Sequence, residues 1–269
     1  FGVDISRIAI GGDRMGIYFV EKGASQRASK VLYDRKYSAI ARAQPSDFDW
    51  DGIFEETEWF HFTGITPALS DNAAQICLEA CKKAKEKGIV VSCDLNYRNK
   101  LWTGSKAGTV MGELMEYVDV AIANEEDCEK VFGIKASGTD VTGGMLSKEG
   151  YGEVARTLAE RFSIPTVAIT LRGSISANDN HWAGMLYQKE KCYFSREYLI
   201  HIVDRVGGGD SFGGGLIYAL SSGFEPQKAI DFAVAASCLK HTVEFDFNEV
   251  TIEETEKLMN GDGSGRVQR

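Results

Sequence analysis

From Trp59 onward, short apolar runs alternate with stretches of helical periodicity, and that alternation limits the chain to few folds. Trp59-Phe60-His61-Phe62, Ile89-Val90-Val91-Ser92-Cys93, Val118–Ala123 and Thr166–Leu171 read as buried strands. Between the first two, Ser70 caps a helix through Ala73, Ile76, Cys77, Ala80 and Ala84 to Lys87, and Gly88 stops it. Helices around Thr109–Tyr117, Glu125–Phe132 (ended by Gly133) and Tyr151–Phe162 separate the others. Strands joined through helices must cross over, which builds a mainly parallel sheet flanked by helices on both faces, an α/β fold. In such sheets the site lies beyond the carboxyl ends of the strands. The residues there are Gly64, Asp94–Arg98, Asn124–Asp127, Arg172-Gly173 and Gly207–Asp210.

The remaining segments flank this unit. Gly16–Val20 and Ser29–Tyr33 are β-branched and aromatic, joined by the turn-prone Lys22-Gly23-Ala24-Ser25, and read as a hairpin with one wet face. Short strands around Ser174–Ala177, Trp182–Tyr187 and Lys191–Phe194 read as antiparallel. Asp210–Ser221, Pro226–His241 and Ile252–Met259 read as closing helices. Ala136–Gly150, rich in Gly, Ser and Thr, reads as a mobile loop, and Gly261–Arg269 as a loose tail.

Composition excludes several classes of function. The net charge of −9 over 269 residues lacks the basic footprint of a nucleic-acid binder. No apolar run approaches the length of a membrane span and no signal peptide opens the chain, so a cytoplasmic protein is expected. The six cysteines show no paired CxxC spacing. Cys77 and Cys81, four apart, stack on one helix face as buried thiols.

Asp204-Arg205-Val206-Gly207-Gly208-Gly209-Asp210-Ser211-Phe212-Gly213-Gly214-Gly215 is the most informative stretch. Three consecutive glycines before a helix let backbone N–H groups converge on one spot at the positive end of the helix dipole. Such a nest suits a phosphoryl group in transfer, and Asp210 at its rim can take a proton from a hydroxyl nucleophile. A glycine-rich turn with an aspartate cap also occurs without any function, so these residues alone leave both readings open. Gly209-Asp210-Ser211-Phe212-Gly213 also matches G-x-S-x-G, the elbow of serine hydrolases, with Asp231 and His241 following in order. Both of those partners, however, fall in one helical stretch. A Rossmann G-x-G-x-x-G fails at Phe212, and no P-loop G-K-[ST] occurs.

Asp204–Gly215 resembles the C-terminal signature of the PfkB/ribokinase family, D-T-x-G-A-G-D-x-F, with Arg205 and Gly208 where Thr and Ala are usual. The resemblance spans nearly the whole chain. It implies a ribokinase-like fold with a small β lid from strands within about 13–36, and ATP with Mg²⁺ as cofactors. Asp210 would be the catalytic base, and Gly207, Gly208 and Gly209 the anion hole. Some members hold a monovalent cation near the residue matching Asp204. The family's first strand and its Gly-Gly-x-x-x-Asn signature are absent. The chain opens Phe1-Gly2-Val3-Asp4, so a single kinase domain over 1–269 is expected to be incomplete at its N-terminus, and unstable and inactive without the missing part.

Asp94-Leu95-Asn96-Tyr97-Arg98 with Leu101-Trp102, Leu32–Lys36 and His61–Ser70 are similar to the branch that phosphorylates the sugar acid 2-keto-3-deoxygluconate. A carboxylate substrate suits arginine, whose planar fork makes two hydrogen bonds. The resemblance makes Arg35 and Arg98 ligands, with Tyr18 and Tyr33 as hydroxyl donors and Asp246 on the sugar hydroxyls, although Phe245 replaces the glycine usual before it. Asn124-Glu125-Glu126-Asp127 resembles the N-x-x-E motif that organises Mg²⁺ and phosphate, with the shorter Asp127 reaching the metal through water. Thr170, Arg172 and Gly173 match the nucleotide side, which Asn124, Gly207 and Gly209 share. A homo-oligomer through the lid strands is expected. A neutral-sugar kinase, a hydrolase using Ser211 and a silent sugar-acid binder remain the alternatives.

Overall fold

The computed structural model describes residues 1–136, 147–261 and 263. The core of the loop expected at Ala136–Gly150 and most of the expected tail therefore lie outside the described residues. The chain forms two compact units. One comprises Phe1–Val20, Val31–Lys135 and Thr157–Val167; the other comprises Glu21–Lys30, Ala136–Arg156 and Ala168–Arg269.

Strands β1 (Ile17–Glu21) and β2 (Lys30–Asp34) pair as the expected hairpin. Both of its faces are largely exposed, Ile17, Phe19 and Leu32 included, rather than one. A two-stranded ribbon has no second layer of its own to cover an apolar face. Two short helices that the sequence does not announce follow, α1 (Ala39–Arg42) and α2 (Trp50–Ile53).

The first unit's centre is β3 (Trp59–Thr63), α3 (Asp71–Glu86), β4 (Val90–Asp94), α4 (Gly104–Met115), β5 (Val120–Ala123) and α5 (Glu125–Phe132). The three strands are parallel, with Thr63 beside Asp94 and Asp94 beside Ile122, so all three end at one edge. Ser70 caps α3 by accepting the Ala73 N–H at 3.1 Å. Ala73, Ile76, Cys77, Ala80, Cys81 and Ala84 form its buried stripe at the i, i+3, i+4 spacing. Burial pushes the Cys77 thiol up to about 12, which keeps it protonated and inert. Helix α4 begins five residues earlier than its sequence pattern suggests. Thr103 caps it, and a Cβ on Gly104 or Gly108 would lie 2.7 Å from a carbonyl oxygen of Lys130 or Val131 on α5. Those glycines look like helix breakers, but they serve close packing.

The second unit is built from the start of α6 (Lys148–Phe162), most of β6 (Thr166–Ser174), β7 (Asp179–Gln188), β8 (Lys191–Phe194), β9 (Tyr198–His201), α7 (Gly208–Ser221), α8 (Pro226–Lys240) and α9 (Ile252–Met259). β8 and β9 each pair antiparallel with β7. The separate strand expected at Ser174–Ala177 is instead the end of β6 and a turn, where the Ser176 hydroxyl donates to Asp179 and accepts the Asn178 and Asp179 N–H groups. β9, four residues long, carries too little pattern to be read from sequence. Helix α8 packs against α7, α9 and β7, and buries nearly its whole length. No helix among the described residues is long and apolar enough to cross a membrane.

Candidate active site

In the first unit the ends of β3 and β4 are stitched together before they deliver Arg98. Gly64 N–H donates to the Asp94 carbonyl at 2.8 Å, and Asn96 Nδ2 donates to Thr63 Oγ1 at 3.1 Å. Asn96 holds φ at +40°, a left-handed value that asparagine tolerates because its N–H closes a local turn on Asp94 Oδ1. Arg98, half-buried, donates to the Tyr97 carbonyl at 3.0 Å, and its charge acts on Asp127. Asn124 caps α5 by accepting the Asp127 N–H at 2.8 Å, while its Nδ2 donates to Asp127 Oδ2 at 3.0 Å. Burial pushes the Asp127 carboxyl up to about 6 against the opposing pull of Arg98 and the Tyr97 backbone. On the hairpin, the Arg35 guanidinium lies 4.0 Å over the Tyr33 ring, and the Tyr18 and Tyr33 rings are 6.3 Å apart. Tyr18, Tyr33 and Arg35 thus form one cluster.

The second unit carries the glycine turn, and its three glycines have different reasons to be there. Gly207 has φ +77°, and a Cβ on it would lie 2.1 Å from the Asp246 carbonyl oxygen. Gly208 lies under the His241 ring, 2.6 Å from where its Cβ would be, so the ring takes the space of the alanine methyl usual in the family. Gly209 meets nothing within 4 Å. Nothing within the protein requires a glycine there. The Gly209 and Asp210 N–H groups meet no acceptor among the described residues, as expected for the first turn of α7. Asp210 itself is exposed. Two N–H groups without acceptors and an exposed carboxylate thus lie side by side, an arrangement that could receive an anion.

Around the turn, charge is plentiful. Burial holds His241 down to about 4, so its imidazole is neutral, with Nδ1–H donating to the Ser237 carbonyl at 2.7 Å. Ser237 Oγ donates in turn to the Gly208 carbonyl at 2.6 Å. Arg205 donates to the Ala177 carbonyl at 2.8 Å. Burial lowers its pKa, and so does the charge of Arg172 nearby. Like charges within reach of one another favour binding of an anion. Arg172 and Thr170 alternate onto one face of β6, followed by Gly173. Asp204 accepts Val206 N–H at 3.1 Å, Phe245 N–H at 3.3 Å and the Lys22 ammonium at 3.0 Å. Burial works against that charge, but these donors outweigh it and hold the carboxyl below its usual range.

A cavity of about 470 Å³ opens beside the turn, bordered by Gly207, Asp210 and Asp246. Asp246 and Asp210 thus border the same cavity. The cavity's other wall is apolar, with Tyr218, Phe232, Phe247 and Ile252 among its residues, and Asn248 adds a polar edge. Sequence reasoning missed this wall, whose residues come from three helices and a loop and share no motif. Ser211, the hydrolase candidate, is buried. Its hydroxyl donates to the Ala236 carbonyl at 3.3 Å and accepts Asn248 Nδ2 at 2.6 Å. Asp231 meanwhile accepts from Arg196 N–H and Gln227. With His241 committed to Ser237 and Gly208, no triad forms, and the hydrolase reading falls.

Comparison with known proteins agrees with this geometry. The model of the pfkB family carbohydrate kinases matches residues 1–244. A 2-dehydro-3-deoxygalactonokinase of Haloferax volcanii is 33% identical over 252 residues, covering 94% of this chain and 72% of that protein. A 2-dehydro-3-deoxygluconokinase of Thermoproteus tenax is 28% identical over 242 residues, covering 88% of this chain and 66% of that protein. The crystal structure of 2-dehydro-3-deoxygluconokinase from Thermotoga maritima superposes with a TM-score of 0.92 at 53% identity, covering 97% of this chain and 77% of that one. With its α/β fold, its glycine turn before α7 and this match over most of its length, the chain belongs to the pfkB family of carbohydrate kinases.

Proposed function

We propose that the chain transfers the γ-phosphoryl group of ATP to the terminal hydroxyl of a 2-keto-3-deoxy sugar acid, turning 2-keto-3-deoxygluconate into its 6-phosphate. The observation that carries this reading is the Gly209–Asp210 turn, with two N–H groups lacking acceptors and one exposed carboxylate beside a cavity of about 470 Å³. The kinase relatives and the 53% identical sugar-acid kinase support it.

In this reading the Asp210 carboxylate takes the proton of the hydroxyl as its oxygen forms a bond to the γ-phosphorus. The bond from that phosphorus to the bridging oxygen breaks, and ADP leaves with the electron pair. The Gly209 and Asp210 N–H groups hold the charge that spreads over the phosphoryl oxygens, since the Gly208 N–H is already donated to the Arg205 carbonyl at 3.3 Å. Thr170, Arg172, Gly173 and Arg205 take the nucleotide's phosphates, and the apolar wall of Tyr218 and Phe232 takes its base. Asp246 accepts from a substrate hydroxyl. Bound Mg²⁺ supplies positive charge to the β and γ phosphates. Asn124 and Asp127 are already tied to one another, so they suit a role through water rather than direct ligation. No group of three or more His, Cys, Asp or Glu side chains that could cage a metal occurs among the described residues.

Arg35 and Arg98 bind the carboxylate. Arg98→Ala and Arg35→Ala are each expected to raise KM for the sugar acid by roughly 10- to 150-fold, the equivalent of the roughly 1.5–3 kcal/mol of binding that a charged hydrogen bond is worth. KM for ATP should stay nearly constant. Steady-state ADP release at varied acid and varied ATP reads both, and equal changes in the two KM values would remove the arginines from the substrate site.

A further inference from the structure

The turn that presents Asp246 is gripped from inside by a lysine. Lys240, the last residue of α8, is fully buried, which is rare for lysine. Its ammonium donates to the Phe245 carbonyl at 2.7 Å and the Val243 carbonyl at 3.2 Å, and it lies in the field of Asp204 and Asp246. Asp204 takes the Phe245 N–H from the other side. Phe245 is thereby held at φ +66°, a conformation that non-glycine residues avoid, and the next carbonyl, that of Asp246, packs against Gly207. A positive charge held by two backbone carbonyls, with the fields of two carboxylates outnumbering that of the Lys22 ammonium, has the kind of carbonyl-oxygen surrounding that suits a small monovalent cation.

We propose that Lys240 is a built-in monovalent cation for the active-site turn, a positioning residue whose ammonium holds Asp246 and Gly207 in register so that phosphoryl transfer needs no added K⁺ or NH₄⁺. It stands where the family resemblance implies a bound cation near Asp204, and as a statement about turnover it rests on the kinase reading above. Without the ammonium, the Val243 and Phe245 carbonyls would lose the donor they share, while Asp204 would keep Lys22 and its two backbone donors. The left-handed turn would relax, and the anion hole would shift with it. Truncating the lysine should leave a cavity lined by those oxygens, sized for a free cation.

The test compares the wild-type protein, produced at its natural length, with Lys240→Ala and Lys240→Met in Mg²⁺-ATP buffers whose only other cation is tetramethylammonium, too large to enter. K⁺ or NH₄⁺ is then added. The wild type should be indifferent to the addition. Lys240→Ala should lose roughly 10²-fold in kcat, as expected for a shifted catalytic geometry, and regain most of it with NH₄⁺ or K⁺. Lys240→Met, which fills the space with an uncharged chain, should lose activity and regain none. A lysine that only packs the core would show no such recovery. A second readout needs no turnover: NH₄⁺ should raise the melting temperature of Lys240→Ala and leave the wild type and Lys240→Met unmoved. That shift decides the inference even if the kinase reading fails. A wild type strongly activated by K⁺, or a folded Lys240→Ala that ignores both cations, overturns it. Should Lys240→Ala not fold in any buffer, the wild-type response alone decides.

Discussion

Asp210→Asn is expected to lower kcat by roughly 10²–10⁴, the range for removing a general base, while leaving the fold intact. The carboxylate is exposed, in the first turn of α7, so the protein loses at most about 0.3–1 kcal/mol of charge–dipole stabilisation. Ser211→Ala should behave in the opposite way. It leaves Asn248 and the Ala236 carbonyl without their partner and costs about 1–3 kcal/mol of stability, yet turnover should survive in the folded fraction. Stopped turnover in Ser211→Ala together with full turnover in Asp210→Asn would restore the hydrolase reading. Melting curves and ADP release on the two variants separate the cases.

The second large effect divides two glycines that are neighbours in sequence but not in purpose. Gly207→Ala forces a side chain into the left-handed region and places its Cβ 2.1 Å from the Asp246 carbonyl oxygen. The left-handed conformation costs about 1–2 kcal/mol, and the backbone displacement about 1–3 kcal/mol more. Stability and activity should fall together. Gly209→Ala meets nothing within 4 Å, so its melting temperature should match the wild type. On the proposed mechanism its methyl group would intrude on the transferring phosphoryl group, and kcat/KM should drop by roughly 10²-fold, as for a misplaced reacting group. A Gly209→Ala enzyme of normal activity would mean that the anion hole faces elsewhere.

How far the sequence could be read depended on whether a residue's reason lay near it along the chain. Ser70, Asn124 and Gly133 act on backbone groups within a few residues of themselves, and their helices begin and end where those residues say. Gly104 and Gly108 answer to carbonyls on a different helix, so their sequence pattern pointed to a late helix start that packing overrode. The hairpin's alternation was clear, but whether anything in the chain covered its apolar residues was not, because coverage is a tertiary fact. Within the site, Asp210 and the three glycines stand in one motif and were legible together. Tyr218, Phe232 and Phe247 reach the cavity from separate elements and were not. Nothing beside Lys240 in the sequence singles it out. Only the fold shows it sealed beneath the turn, holding a phenylalanine in a backbone conformation where the family usually has glycine.

The most direct measurement is ADP release by the wild-type protein, produced at its natural length, with Mg²⁺-ATP and, in parallel, 2-keto-3-deoxygluconate, fructose and ribose. The account predicts turnover on the acid, with kcat/KM for each neutral sugar lower by roughly tenfold or more, since a neutral sugar forfeits at least one charged hydrogen bond worth about 1.5–3 kcal/mol. Equal kcat/KM on a neutral sugar and on the acid would contradict it, and would remove Arg35 and Arg98 from any role in choosing the substrate.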